Sequence, residues 1–316
     1  MIGRRAFVAG LAAGLVARPT PAPAVVPRVG VLTDDTALTA IFVQGLRDAN
    51  WEIGEDVLVM RRGGAAGADR WRSAARELVG LRVSVLVAGD HAAARAARAT
   101  TDAIPIVAID FERDPIGSGF VKSLSRPGGN VTGFFCDFSE GMTRLATALQ
   151  DAVPTVRQVV ALTDGESTEI QARTLRDAAG ALGLEVSTLD VGAAAPDALI
   201  DRLAAWRATF VVLASPRLES EATRLAKRAL RRRLASAGAF IRYAHAGGLL
   251  SRGPSLPDAF RRAAATVDRL LRGARAADIA VERPPRFELV VNLRTAAALE
   301  LRLSPALMSS ADHIVR

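Results

Sequence analysis

Five short polar stretches of this chain combine carboxylates, hydroxyls and glycine: Thr33-Asp34-Asp35, Gly89-Asp90-His91, Asp110-Phe111-Glu112, Asp164-Gly165-Glu166 and Ser215-Pro216-Arg217. Groups of this kind hold a polar or charged small molecule through ion pairs and hydrogen bonds. Two neighbouring acids also suggest general acid and base work, with Asp34 beside Asp35 or Asp110 beside Glu112 as the pair. Acids on loops serve as helix caps just as readily, so each has a plain structural role to set against the chemical one. The rest of the reactive inventory is sparse. The histidines are His91, His245 and His313, and Cys136 is the one cysteine. The chain carries no H-E-x-x-H, P-loop, G-x-S-x-G or metal-spaced Cys/His set. Gly117 and Gly119 make half of a G-x-G-x-x-G loop, but Lys122 stands where the third glycine belongs. No catalytic residue, metal site or cofactor is expected, and the chain reads as a binder and not an enzyme.

These stretches are positioned by a regular alternation of elements. Arg28 to Leu32 is a short apolar run that reads as a strand, followed by a helix from about Thr36 to Ala49 that Asp34 or Asp35 would cap. Further strand and helix patterns alternate through Val83 to Val87, His91 to Thr100 and Ile104 to Ile109. The rhythm pauses at Ser125-Arg126-Pro127-Gly128-Gly129-Asn130 and restarts with a strand at Val131 to Phe135. It continues through strands at Val156 to Leu162, Leu184 to Leu189 and Phe210 to Ala214, with helices between them and one from Glu219 to Leu234. Continuous apolar strands separated by helices indicate βαβ units around parallel sheets. Two such sets joined by a Pro/Gly segment imply two α/β lobes. In open sheets of this type ligands bind beyond the carboxyl ends of the strands, where all five polar stretches fall.

Composition narrows the class. Half of the 316 residues are apolar and the formal charge is +8, carried almost wholly by arginine, since lysine occurs only at Lys122 and Lys227. The densest basic run, Arg224 to Arg233, reads as the solvated side of a helix, and no nucleic-acid recognition motif accompanies it. Arg4 and Arg5 precede a short apolar stretch from Phe7 to Ala17, and Ala22-Pro23-Ala24 fits a cleavage pattern. Residues 1–24 therefore read as an export signal, with a twin-arginine character. No cysteine near the cleavage site offers a lipid anchor, so the periplasm is the expected destination.

The stretch Asp114-Pro115-Ile116-Gly117-Ser118-Gly119-Phe120-Val121-Lys122-Ser123-Leu124-Ser125-Arg126-Pro127-Gly128-Gly129-Asn130-Val131-Thr132-Gly133 resembles a hallmark of the ABC transporter substrate-binding proteins, including the tryptophan- and tyrosine-type binding proteins. Pro285 to Ala296, Ala246 to Ser255 and the ending Ala311-Asp312-His313-Ile314 are similar to that family in the same order. The resemblance implies a type I periplasmic-binding fold, with two Rossmann-like lobes and a three-crossover hinge that closes on a ligand. Crossings are expected near Val131 to Gly133, Ile241 to Tyr243 and Pro284 to Arg286. The first lobe would then hold residues 25–131 and about 244–283, and the second 132–243 and about 284–316. A small-molecule solute and an inner-membrane ABC permease are the implied partners, with a monomeric state and no nucleic acid.

Family members commonly line the cleft with Ser, Thr, Gly or Asn, whereas these edges are rich in acids. The candidate ligand-binding residues are Thr33, Asp34, Asp35, Gly89, Asp90, His91, Asp110, Phe111, Phe138, Asp164, Ser215, Arg217, Arg242 and Tyr243. Carboxylates would pair an ammonium, Arg217 and Arg242 a carboxylate, and Phe111, Phe135, Phe138 or Tyr243 would stack on a ring or cap a cation. An amino acid or related carboxylate is the solute class this suggests. The alternatives are a ligand sensor that signals to a membrane receptor, an enzyme, and a DNA-binding regulator. A regulator of this fold carries an N-terminal helix-turn-helix module, which the export-signal reading displaces.

Overall fold

The computed structural model describes residues 26–63, 68–110, 114–135, 138–192, 194–284 and 286–316. The expected export signal and Phe111 lie outside the described residues. The first lobe begins with β1 (Arg28–Leu32), α1 (Thr36–Asp48), β2 (Leu58–Arg62), α2 (Ala68–Gly80), β3 (Val85–Ala88), α3 (His91–Thr100), β4 (Ile106–Asp110) and β5 (Val131–Phe135). Its strands pair in parallel in the order β2-β1-β3-β4-β5. Side chains alternate between faces along each strand. Val29, Val31, Val85, Val87, Val107 and Ile109 join one core cluster, and Leu32, Leu86, Ala88, Ile106 and Ala108 join another on the opposite face. Burial on both faces is why these strands read as unbroken apolar runs.

The second lobe contains α4 (Phe138–Ala152), β6 (Gln158–Thr163), α5 (Glu166–Gly180), β7 (Glu185–Asp190), α6 (Pro196–Ala205), β8 (Thr209–Val212), α7 (Pro216–Ser220), α8 (Ala222–Arg231), β9 (Ser236–Gly238), α9 (Arg242–His245) and β10 (Leu250–Pro254). The chain then returns to the first lobe with α10 (Leu256–Leu271). It ends in the second with β11 (Phe287–Asn292), α11 (Leu293–Ala298), α12 (Pro305–Ser310) and β12 (His313–Val315). The second sheet has the order β12-β11-β10-β9-β8-β6-β7 and is parallel except where β10 meets β11. The architecture is thus α/β, with two Rossmann-like lobes and three changes of sheet.

Two of the expected crossings are displaced. β5 pairs with β4, so the first change of sheet follows Phe135 and does not fall at Val131 to Gly133. The Pro/Gly turn before β5 feeds an edge strand of the same sheet, tied back by Asn130 to the carbonyls of Thr101 and Ile104 at 3.1 and 2.9 Å. β10 pairs with β9 and β11, so the second change falls between Pro254 and Leu256 and not at Ile241 to Tyr243. The first lobe accordingly regains the chain from α10, and residues 244–254 belong to the second. The third change lies between Glu282, whose N–H donates to the Gly133 carbonyl at 2.8 Å, and Phe287.

α10 covers the first sheet together with α1. Phe260, Ala263, Ala264 and Val267 pack with Phe42 and Leu46. Gly45 lets the two helices cross closely, because a Cβ there would come 2.8 Å from that of Ala264. The helix expected from Glu219 to Leu234 is in fact two, α7 and α8, broken at Glu221.

Candidate functional site

Four of the polar stretches lie at the carboxyl end of a strand where the local sequence starts a helix, and of the fifth Asp110 ends β4. Thr33 follows β1, and its buried Oγ1 accepts from the Asp35 N–H at 3.2 Å. Asp35 caps α1 by accepting from the N–H groups of Ala37 and Leu38 at 2.8 and 3.1 Å, which is a structural role. Asp34 is exposed and lies against Gly63 at the end of β2. Gly89 follows β3 in a space closed by Phe260, Thr33 and the Leu32 carbonyl, where a Cβ would come 2.9 Å from the Phe260 ring. Asp90 caps α3 by accepting from Ala93 N–H at 2.7 Å.

Two acids at this edge differ sharply in setting. Asp110 ends β4, is fully buried, and its Oδ2 lies 2.5 Å from His91 Nδ1. The His91 ring rests on Phe120, with centroids 5.7 Å apart, so the pair forms the floor of the edge. Asp90 is less enclosed by partners. Desolvation raises its pKa above the usual carboxylate range, the Ala93 N–H opposes this, and the charges of Asp110 and Asp34 push it up further.

The second lobe presents a different set. Ser215 follows β8, caps α7 through Leu218 N–H at 3.1 Å, and donates to Asp164 Oδ2 at 2.9 Å. Arg217 lies 3.7 Å from Asp164 and donates to the Gly192 and Ala194 carbonyls, so it braces its own lobe. Gln171, fully enclosed, bonds both the N–H and the carbonyl of Ala214 at 2.8 and 2.7 Å and fixes the start of the same loop. Arg242 is exposed at the first turn of α9.

Glu219, on α7, was not among the residues singled out from sequence. Its side chain keeps some solvent contact, yet protein surrounds it so closely that desolvation raises its pKa from 4.5 to about 7. The Arg242 guanidinium opposes that rise, and the Asp90 carboxylate of the other lobe adds to it. Glu219 therefore feels the charge of Asp90, which belongs to the other lobe. The sequence signal was slight: Ser215-Pro216 starts a helix at a strand end, and an acid in its first turn stays near the loop edge.

Tyr243 does not belong to this edge. It is wholly buried in the second lobe, and its hydroxyl donates to Ser236 Oγ at 3.0 Å. Gly238 and Gly248 make the slot for its ring, since a Cβ on Gly238 would lie 2.7 Å from Tyr243 Cγ. Burial pushes its phenol pKa upward. Phe135, another aromatic at this edge in the sequence, is likewise core, packed on Phe120 at 6.1 Å. Phe138 begins α4, and only its backbone is described.

Thr33, Asp34, Gly89, Asp90, His91 and Asp110 are thus gathered on one lobe, and Asp164, Ser215, Arg217, Glu219 and Arg242 on the other. Among the described residues there is no group of three or more potential metal ligands. No described helix is long and apolar enough to cross a membrane.

Comparison with known proteins adds a family and a fold. The model of the family described as ABC transporter substrate binding protein matches residues 32–315. A tyrosine-binding protein of Clostridioides difficile (strain R20291) is 30% identical over 92 residues, which are 29% of this chain and 26% of that protein. The chain spans about a quarter of that relative's length in the match. An ABC domain from Streptococcus pneumonia, solved in complex with L-Trp, superposes with a TM-score of 0.80 at 19% identity, covering 92% of this chain and 99% of that one. A conserved domain protein from Vibrio cholerae gives 0.81 at 22% identity, with the same coverage of 92% and 99%. At these identities the two structures share the fold.

Proposed function

Because the chain belongs to the ABC transporter substrate-binding protein family, we propose that it is the periplasmic solute-binding component of an ABC-type importer. It captures a small organic solute, such as an amino acid or a related carboxylate, between its two lobes. The observation that carries this reading is that both lobes carry polar groups at the carboxyl ends of their strands, Thr33, Asp90 and His91 on one and Asp164, Ser215 and Arg217 on the other. Charged groups drawn from both sides of a hinge give a ligand something to bridge.

Mechanistically, the open protein presents both rims, the solute bridges them, and the closed form docks on a permease in the inner membrane. Closure is driven only by the ligand's extra affinity for the closed arrangement. The three changes of sheet serve as the hinge, and the protein acts as a monomer. The likeness to a tyrosine-binding protein and to a domain solved with L-Trp supports amino acids as the first class to try.

A thermal-shift screen of the exported protein tests capture directly. The panel holds aromatic, branched and basic amino acids, small carboxylates, sugars and nucleosides. A ligand at 100 times its Kd is expected to stabilise the fold by about 2.7 kcal/mol. A flat response across all six classes would refute capture of solutes of these kinds.

A further inference from the structure

We propose that His91, held by Asp110, is the first lobe's anchor for the solute, and that its Nε2 accepts a hydrogen bond from an uncharged O–H or N–H group on that solute. This rests on the capture reading above and sharpens it, because it names the group by which the solute is recognised.

Most polar side chains at the two edges already have a bond within the protein. Asp35 and Asp90 cap α1 and α3. Thr33 Oγ1 takes the Asp35 N–H, and Ser215 serves Asp164 and Leu218. Arg217 donates to two backbone carbonyls. His91 differs from all of these. Its Nδ1 lies 2.5 Å from Asp110 Oδ2, whereas among the described residues no group bonds Nε2. The residue is only 8% exposed, so more than nine-tenths of it is buried. Yet 11% of the side chain stays open to solvent, and Nε2 is not one of the atoms sealed away without a partner. A polar atom in so enclosed a setting is costly to leave unbonded, and a solute at the open part of the ring would complete it.

The surroundings fix both the position and the sense of this nitrogen. The ring rests on Phe120 with centroids 5.7 Å apart and planes tilted by 59°, and Phe120 leans on Phe135 at 6.1 Å. Asp110 ends β4 and is fully enclosed, so it holds the ring from behind. A carboxylate at Nδ1 keeps the proton on that nitrogen, and the neutral ring then offers Nε2 as a lone pair. His91 opens α3 just beyond β3, at the carboxyl edge where open sheets of this type take ligands. A ring fixed in place and in tautomer loses little freedom when the solute arrives, which favours binding. An uncharged acceptor suits a hydroxyl or a ring N–H. A carboxylate would meet it lone pair to lone pair.

The surroundings do not support two other uses of such a pair. General-base chemistry needs a nucleophile against Nε2, and no described hydroxyl or thiol bonds it. Metal ligation needs companion donors, and the described residues gather no group of three or more potential ligands.

Nitrogen-15 spectra of the exported protein, labelled at histidine, read the tautomer at pH 8. His91→Asn assigns the His91 signals. A protonated Nδ1 and a bare Nε2 are expected, and a proton on Nε2 would overturn the proposal. Asp110→Asn should move part of the population to Nε2–H, a change that lost packing alone would not produce.

Isothermal titration then uses matched probes: tyrosine against phenylalanine, tryptophan against 1-methyltryptophan, with glutarate as a solute of no such donor. In a pair that binds, the member with the donor should bind at least about tenfold tighter. His91→Asn places an amide where Nδ1 stands, so Asp110 keeps a partner while Nε2 is lost. This substitution should erase the difference within the pair. Any other solute found by the wider screen should likewise weaken at least about tenfold in His91→Asn. Equal binding within a pair, binding of glutarate alone, or affinity indifferent to His91→Asn would overturn the His91 anchor and leave capture intact. If no probe binds and the wider screen is flat as well, capture itself fails and this inference falls with it.

Discussion

Replacing Glu219 with glutamine should make the ligand-free protein more stable at pH 8. The folded state raises this carboxyl from 4.5 to about 7, so folding binds protons there between those two values. Stability then falls as pH rises through that window, and the full penalty stands above it. At about 1.36 kcal/mol per pH unit the cost has an upper bound of roughly 3 kcal/mol. Residual solvent contact screens the charge, which leaves roughly 1–2 kcal/mol to be recovered by the neutral amide. For a chain of this size that corresponds to a rise in Tm of about 2–6 °C. Calorimetry of both proteins at pH 8 and pH 5 reads the effect, which should shrink severalfold at pH 5. A variant no more stable at pH 8, or equally stabilised at both pH values, would refute the account of Glu219 as a desolvated acid.

Two further substitutions test the frame around the cleft. Tyr243→Phe removes a buried hydrogen bond to Ser236 and should lower stability in urea by about 1–2 kcal/mol. The ligand response should be unchanged, and a lost response would return Tyr243 to the cleft. Gly133→Ala places a Cβ 2.7 Å from the Ala108 nitrogen on a backbone with φ of +134°. It should cost at least a few kcal/mol and lower Tm clearly, so a wild-type melting curve would contradict the close approach of β4 and β5.

Much of the first lobe is legible from sequence because its strands are buried on both sides. Val29 to Leu32 and Ile106 to Ile109 carry apolar residues for two cores, which no loop would do. The second lobe is harder. β9 is Ser236-Ala237-Gly238, three residues without bulk, and β10 contains Arg252, Gly253 and Pro254. Neither has strand propensity; each is a strand because neighbours in the sheet supply the ladder. Missing them misplaced the second crossing by about ten residues, because nothing local marks Ser255 as the point of departure. It reads simply as the cap of α10, accepting from Asp258 N–H.

The site divides in the same way. Residues whose place depends on a strand end, such as Thr33, Asp90 and Asp164, fall where the alternation puts them. Tyr243 does not, because the slot that buries it is made by Gly238 and Gly248. Glu219 is the opposite case. Among many acids on an Arg-rich stretch it looks like surface, and only its desolvation in the folded chain distinguishes it.

The return of α10 to the first lobe has a consequence for biosynthesis. The ribosome releases β1 to β5 early, but one face of that sheet stays bare until Leu271 has emerged. During that interval Phe42, Leu46, Val85 and Val107 have no Phe260 or Ala264 to pack against. The whole second lobe except its last strands is made in the meantime. Contacts between such distant parts of a chain form slowly, and the exposed face invites association with other chains. A nascent chain stalled before Leu256 would hold a sheet without its cover, so the first lobe is the earlier half to be synthesised and the later one to be completed.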